Sequence, residues 1–147
     1  MSYLAENKKA FFDYEILEKI EAGLSLTGQE TKSAKNGQVS LKGAFVTFHG
    51  PSAFITNMNI AKYAAAGPLP EYDPTRSRPL LLRKKEIDYL RGKALEQGLT
   101  IVPLRVYTKN CFVKIEIAVA RGKKRFDKRE TLKKRDAERE TRRAMKN

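Results

Sequence analysis

The 147-residue chain carries 30 Lys and Arg against 17 Asp and Glu, a formal charge of +13, with one cysteine, one histidine and no tryptophan. Its length suits a single hydrophobic core, and a lone cysteine forms no internal disulfide, which fits a reducing cytoplasm. An excess of positive charge this large points to a polyanionic partner, and the lack of any apolar run of spanning length argues against a membrane.

The opening MSYLAENKKAFF lacks the basic, apolar, small-residue order of a signal peptide. The segment DYEILEKIEAGLSL that follows is ambiguous. Ile16, Leu17 and Ile20 fit a helix, whereas Tyr14, Ile16, Ala22, Leu24 and Leu26 fit alternation, and periodicity alone does not decide between them. TGQETKSAKNG predicts a short helix capped by Thr27 and ended by Gly37. Residues 39–60 predict two strands joined at HGPS, with Gly43 marking a bulge or sharp bend in the first. AAAGPLPEYDPTRSRPLL holds four of the six prolines and predicts a long irregular connection. Ile87, Leu90, Ala94 and Leu95 then line one face of a helix that Gly98 stops.

A second hairpin follows, with TIVPLRVY and CFVKIEIAVA flanking TKN. Val113, Ile115, Ile117 and Val119 alternate with Lys114 and Glu116, which predicts one buried and one wet face. Pro103 places its strand near an edge or at a bulge. Several short strands with one or two helices make a small β-barrel or half-barrel the expected fold, and no internal repeat is present.

From Arg121 onward, 13 of 27 residues are Lys or Arg and five are Asp or Glu. Large apolar residues there are limited to Phe126, Leu132 and Met145. The expected domain is therefore 1–120, with 121–147 a basic tail that is disordered alone. Glu130 with Lys134 and Glu138 with Arg142 are Glu-first i, i+4 pairs, so helix is expected once phosphates neutralise the excess charge. Fully helical, the tail would reach about 40 Å, enough to probe an RNA-walled channel.

The catalytic inventory is thin. His49 reads as an exposed residue beside a Gly-Pro turn, and Cys111 as a small buried hydrophobe in a strand. No phosphate-cradling glycine loop or metal-ligand spacing occurs, so no catalytic residue, metal or cofactor is expected. The basic clusters NKKAFF, TRSRP and LRKK, together with the tail, instead predict RNA or DNA binding through backbone and shape. The alternative class is a basic RNA-processing or RNA-modifying enzyme.

NKKAFFDYEILEKIEAGLSLTGQETKS, YDPTRSRPLLL and GKKRFDKRET together resemble the small protein B family, the tmRNA-binding partners of bacterial trans-translation. The resemblance runs from Asn7 to Lys146, through E-A-G-L at 21–24, G-x-E-x-K-S at 28–33, D-P-T-R at 73–76 and G-K-K-x-x-D-K-R at 122–129. It implies an OB-like closed or partly open antiparallel β-barrel with flanking helices, and so favours strand for the ambiguous early segment. It also implies a non-catalytic adaptor that binds the tRNA-like domain of tmRNA. With elongation factor Tu and GTP, that adaptor helps deliver tmRNA to stalled ribosomes, its tail entering the decoding centre and the empty mRNA channel. A cytoplasmic monomer without membrane association is expected.

Carried over by position, the resemblance assigns Glu21 and Leu81 to the tmRNA interface. Arg83 stands where some members have Asn, exchanging a specific hydrogen bond for a phosphate contact. Lys8, Lys9, Lys32, Arg76 and Arg78 are expected phosphate ligands. In the tail, Gly122, Lys123, Lys124, Asp127, Lys128 and Arg129 match the motif used in the decoding centre, with Gly122 the joint between barrel and tail. Phe126 replaces a histidine found in several members, so base stacking is the only role carried over to it.

Overall fold

The computed structural model describes residues 3–123 and, beyond them, Arg129, Leu132, Lys133, residues 135–137 and Arg139. In chain order the elements are β1 (Tyr3–Glu6), α1 (Lys8–Asp13), β2 (Tyr14–Leu24), α2 (Gly28–Lys35), β3 (Val39–Ser40), β4 (Phe45–His49), β5 (Ser52–Thr56) and β6 (Asn59–Ile60). A 3₁₀ turn at Ala64–Ala66 leads to β7 (Arg78–Leu81), α3 (Lys84–Leu95), β8 (Leu99–Lys109) and β9 (Phe112–Gly122). Seven strands pair in the order β1-β8-β9-β2-β7-β5-β4, every ladder antiparallel, while β3 and β6 form a separate pair. The sheet curls until β4 packs against β8 without a ladder joining them, giving a partly open OB-like barrel.

The ambiguous early segment is strand, paired with β9 from Tyr14↔Gly122 to Gly23↔Lys114. Its mixed periodicity has a physical cause, an irregularity between Ile16 and Glu18 that shifts the phase of the strand. Ile20, Ala22 and Leu24 face the main core with Ile55, Ile60, Leu90, Ile115 and Ile117. Ile16, on the other side of the shift, joins a smaller outer cluster with Ala10, Val102, Leu104, Ala118 and Ala120. The outer side of β9 is therefore not wet along its length, because α1 covers Ala118 and Ala120.

Asn7 fixes α1 in that position. Its side chain accepts from Ala10 N–H at 3.2 Å and donates to the Pro103 carbonyl at 2.9 Å. Its backbone N–H donates to Leu104 O at 2.7 Å. Pro103 begins a register shift against β9, so it marks a bulge rather than an edge. Beyond the bulge Arg105, Tyr107 and Lys109 share the outer face of the sheet with Glu116 and Lys114.

Other expectations need correction. Residues 39–60 make four short strands, since Gly43 at φ 75° turns the chain between β3 and β4. Within the proline-rich connection, Arg78–Leu81 is a strand. Leu95, expected on the buried helix face, is 83% exposed, because α3 ends there and only Ile87 and Leu90 reach the core as buried residues. Cys111 is exposed rather than buried: with Asn110 it forms the two-residue tip of the β8–β9 hairpin, both at positive φ. His49 lies exposed at the end of β4, as expected.

Two sequence motifs meet at one buried carboxylate. Thr27 and Glu30 form a capping box on α2, with Glu30 N–H to Thr27 Oγ1 at 3.3 Å and Thr27 N–H to Glu30 Oε1 at 3.0 Å. Arg76 Nη2 donates to Glu30 Oε1 at 2.5 Å, and Arg78 Nε to Oε2 at 2.8 Å. Arg78, fully buried, spends its other donors on Met58 O, Pro74 O, Arg76 O and Tyr72 Oη. Arg78 is thus a structural residue with no surface for a phosphate, and its place among the expected RNA ligands is withdrawn.

Burial pushes the Glu30 carboxyl up, but hydrogen bonds from Arg76, the Thr27 backbone and Arg78 outweigh it and hold it at about 2. A depressed folded pKa stabilises the protein above the usual 4.5, and that contribution is lost as pH falls from there toward 2. Glu30→Gln should therefore cost about 3–5 kcal/mol in urea unfolding at pH 7, because it strands buried guanidinium. It should also remove part of the acid-side decline in stability; an unfolding curve matching the parent at pH 7 would refute this role.

Candidate nucleic-acid interface

The residues of E-A-G-L divide by strand alternation. Ala22 and Leu24 point into the core, and Glu21 and Gly23 point outward. Gly23 pairs with Leu81 of β7, and a Cβ on Gly23 would stand 3.0 Å from Leu81 Cβ. The missing side chain lets Leu81 lie across β2, where it is 60% exposed, while its neighbour Leu80 is buried. Isolated apolar residues at a surface are ordinary. Leu81 differs in being seated by a glycine beside a structured carboxylate. Arg83, two residues on and exposed, caps α3, its N–H donating to Glu86 Oε1 at 3.0 Å.

Glu21 is held by side chains from β8. Tyr107 Oη donates to Oε2 at 2.5 Å, and Lys109 Nζ lies 3.4 Å from Oε1. The Tyr107 hydrogen bond, and then Lys109 and Lys114, hold the Glu21 carboxyl below its ordinary value despite some opposing desolvation. Burial and the bond to Glu21 push the Tyr107 phenol up. At neutral pH the pair is therefore a phenol donating to a carboxylate, and the carboxylate keeps acceptor capacity on its exposed side. Of these, Tyr107 and Lys109 are not singled out by the sequence, because the bulge after Pro103 changes which residues of β8 face outward.

The other basic side chains are committed to the protein itself to differing degrees. Arg105 stacks between the rings of Tyr3 and Phe11, 4.7 and 4.8 Å from their centroids, and pairs with Glu6 and Glu116. Arg76 keeps about a third of its side chain exposed but turns its guanidinium onto Glu30. Lys32 is exposed on α2 with its ammonium over the Tyr63 ring. Lys8 and Lys9, exposed on α1, line a cleft with Lys42 and the Gly43 turn. The structure brings Glu21 and Leu81 together with Tyr107, Lys109 and Lys114. It leaves Lys8 and Lys9 on α1 and Lys32 on α2, outside that cluster.

Gly122 closes the β9 ladder opposite Tyr14. No left-handed φ demands glycine there. Lys123 is tied to α1, its N–H donating to Asp13 O at 2.8 Å and its ammonium to Phe11 O at 3.3 Å. Arg129, Leu132, Lys133, residues 135–137 and Arg139 have helical backbone, and the Arg135 guanidinium lies 5.6 Å from the Phe12 ring centroid. Lys124, Phe126, Asp127 and Lys128 lie outside the described residues. Among the described residues no group of three or more His, Cys, Asp or Glu could hold a metal ion, and no helix is long and apolar enough to cross a membrane.

Residues 4–147 match the family model described as SmpB protein. An SsrA-binding protein of Oleidesulfovibrio alaskensis is 54% identical over 142 residues, covering 97% of this chain and 91% of the relative. One from Leuconostoc mesenteroides is 50% identical over 146 residues, covering 99% and 94%. Among solved structures, a chain from one described as "tmRNA-SmpB: a journey to the center of the bacterial ribosome" superposes with a TM-score of 0.67 at 41% identity, covering 86% of this chain and 92% of that one. With the barrel, the E-A-G-L strand and the D-P-T-R loop all in place, the chain belongs to the SmpB protein family.

Proposed function

We propose that this protein is an RNA-binding adaptor that grips the tRNA-like domain of tmRNA with its barrel and accompanies it to stalled ribosomes for trans-translation. The observation that carries this reading is the match to SsrA-binding proteins along almost the whole chain, barrel and tail alike. The likeness to a tmRNA-SmpB structure supports the same partners. On the barrel, the Glu21–Leu81 face offers what such a contact needs. Glu21 accepts hydrogen bonds from base amino or imino groups, Leu81 packs on an apolar sugar or base surface, and Arg83 meets phosphate.

Residues 1–120 hold tmRNA in this account, and residues 121–147 serve the ribosome. The charged tail, led by Gly122, Lys123, Lys124, Asp127, Lys128 and Arg129, occupies the decoding centre and empty mRNA channel, with Phe126 stacking on a ribosomal base. Elongation factor Tu with GTP joins the complex through tmRNA, and the protein acts as a cytoplasmic monomer without catalysing a reaction. Glu30 supports the non-enzymatic reading, since its carboxylate is consumed by Arg76 and Arg78. Lys8, Lys9 and Lys32 add phosphate contacts around the principal face, and the affinity falls as monovalent salt rises.

Leu81→Asp should weaken binding to the tRNA-like domain at least about tenfold, since it sets a carboxylate against phosphate in a desolvated contact. Its melting temperature should stay within about 2 °C of the parent, as expected for an exposed site. Retained affinity would remove Leu81 from the interface. Truncation after Gly122 should leave that affinity within about threefold, the size of a few distant phosphate contacts at physiological salt. The same truncation should abolish peptide tagging on stalled ribosomes in a reconstituted assay; loss of tmRNA binding itself would contradict the division between barrel and tail.

A further inference from the structure

Glu21 faces Glu116 directly across the β2–β9 ladder, a like-charged pairing that a sheet disfavours. The arrangement resolves this by drawing the two carboxylates apart. Glu116 lies 3.7 Å from Arg105 Nη1, and Glu21 turns to Tyr107 and Lys109 on β8. Lys114 of β9, the register partner of Tyr107, adds positive potential beside Glu21. From β7 the nearest register neighbour is the uncharged Leu81.

Tyr107 is suited to hold a carboxylate in place. Only 4% of it is exposed, and its ring meets that of Tyr3 edge-on with centroids 6.3 Å apart, so the ring cannot wander. A glutamate on an exposed strand otherwise samples many rotamers, and ordering it costs affinity at the moment of binding. Lys109, half exposed on a flexible stem, makes a longer contact of 3.4 Å and constrains Glu21 less.

We propose that Tyr107 is a positioning residue of the RNA interface: its hydroxyl fixes the Glu21 carboxylate so that the outward oxygen lone pairs meet base donors without reorganisation. This rests on the reading of Glu21 as an RNA-contacting residue. Tyr107 itself touches no RNA. It acts through Glu21, and its contribution disappears when Glu21 is absent.

The test is a double-mutant cycle on the full chain, with the isolated tRNA-like domain of tmRNA as probe at fixed ionic strength. Tyr107→Phe keeps the ring and removes only the hydroxyl. It should weaken binding about tenfold in the parent background, comparable to losing one charge-assisted hydrogen bond. In a Glu21→Ala background the same change should cost less than about twofold, within the additivity expected of uncoupled sites. A merely structural tyrosine would weaken both backgrounds equally, and that result overturns the proposal. Unchanged affinity of Tyr107→Phe beside weakened Glu21→Ala also overturns it, and leaves the RNA role of Glu21 standing. Unchanged affinity of Glu21→Ala alone overturns both.

Discussion

The fold turns on one buried carboxylate. Glu30 closes the first turn of α2 through its capping box with Thr27 and at the same time receives Arg76 and Arg78. Desolvating a carboxylate and a guanidinium is costly, and the arrangement is tolerable only because nearly every donor is spent. Arg78 fills its fork with Glu30 and the carbonyls of Met58, Pro74 and Arg76, and Tyr72 Oη in turn donates to Ile60 O at 2.6 Å. A long proline-rich connection, which has little regular structure of its own, is thereby clamped to α2 and to the β5–β6 region.

That clamp sets the face proposed to meet RNA. Arg78 begins β7, so fixing it fixes the register of β7 against β2, and with it the meeting of Leu81 with Gly23. The remaining face depends on two phase changes, one near Leu17 in β2 and one near Leu104 in β8. Each separates the strand into a part that serves the small outer core under α1 and a part whose outward residues join the face around Glu21. Without the second shift, Tyr107 would fall on the inner face and could not reach Glu21. The outer core and the proposed RNA face thus share the same backbone irregularities.

These relations mark the limit of what was legible in the sequence. The second hairpin, the α2 cap at Thr27 and the α3 segment were readable, because each rests on local periodicity or capping chemistry. The assignment of Glu21 and Leu81 to an RNA interface rests on the resemblance alone, since an exposed leucine and an acidic residue carry no local signature of RNA contact. Arg78 misled for a specific reason: a basic residue in a proline-rich loop reads as surface charge until its carboxylate partner, 48 residues away, is known. Cys111 misled in the same way, because adjacency to an apolar strand said nothing of the positive φ that places it at a hairpin tip. Tyr107 was hidden by the bulge, although Pro103 announced that some irregularity lay there.

The tail root follows a similar economy, with Gly122 ending the ladder and Lys123 strapped to α1. This point lies some way along β9 from Glu116, the register partner of Glu21. We propose that RNA is gripped by the Glu21–Leu81 face. Backbone amide chemical shifts recorded while the tRNA-like domain of tmRNA is titrated into the full chain test it most directly. The largest changes are expected at Glu21–Gly23, Leu81–Arg83 and Tyr107–Lys114, with Phe48 and Leu95 on the α3 side little affected. Changes centred on α3 and β4, with the Glu21 strand silent, would contradict it.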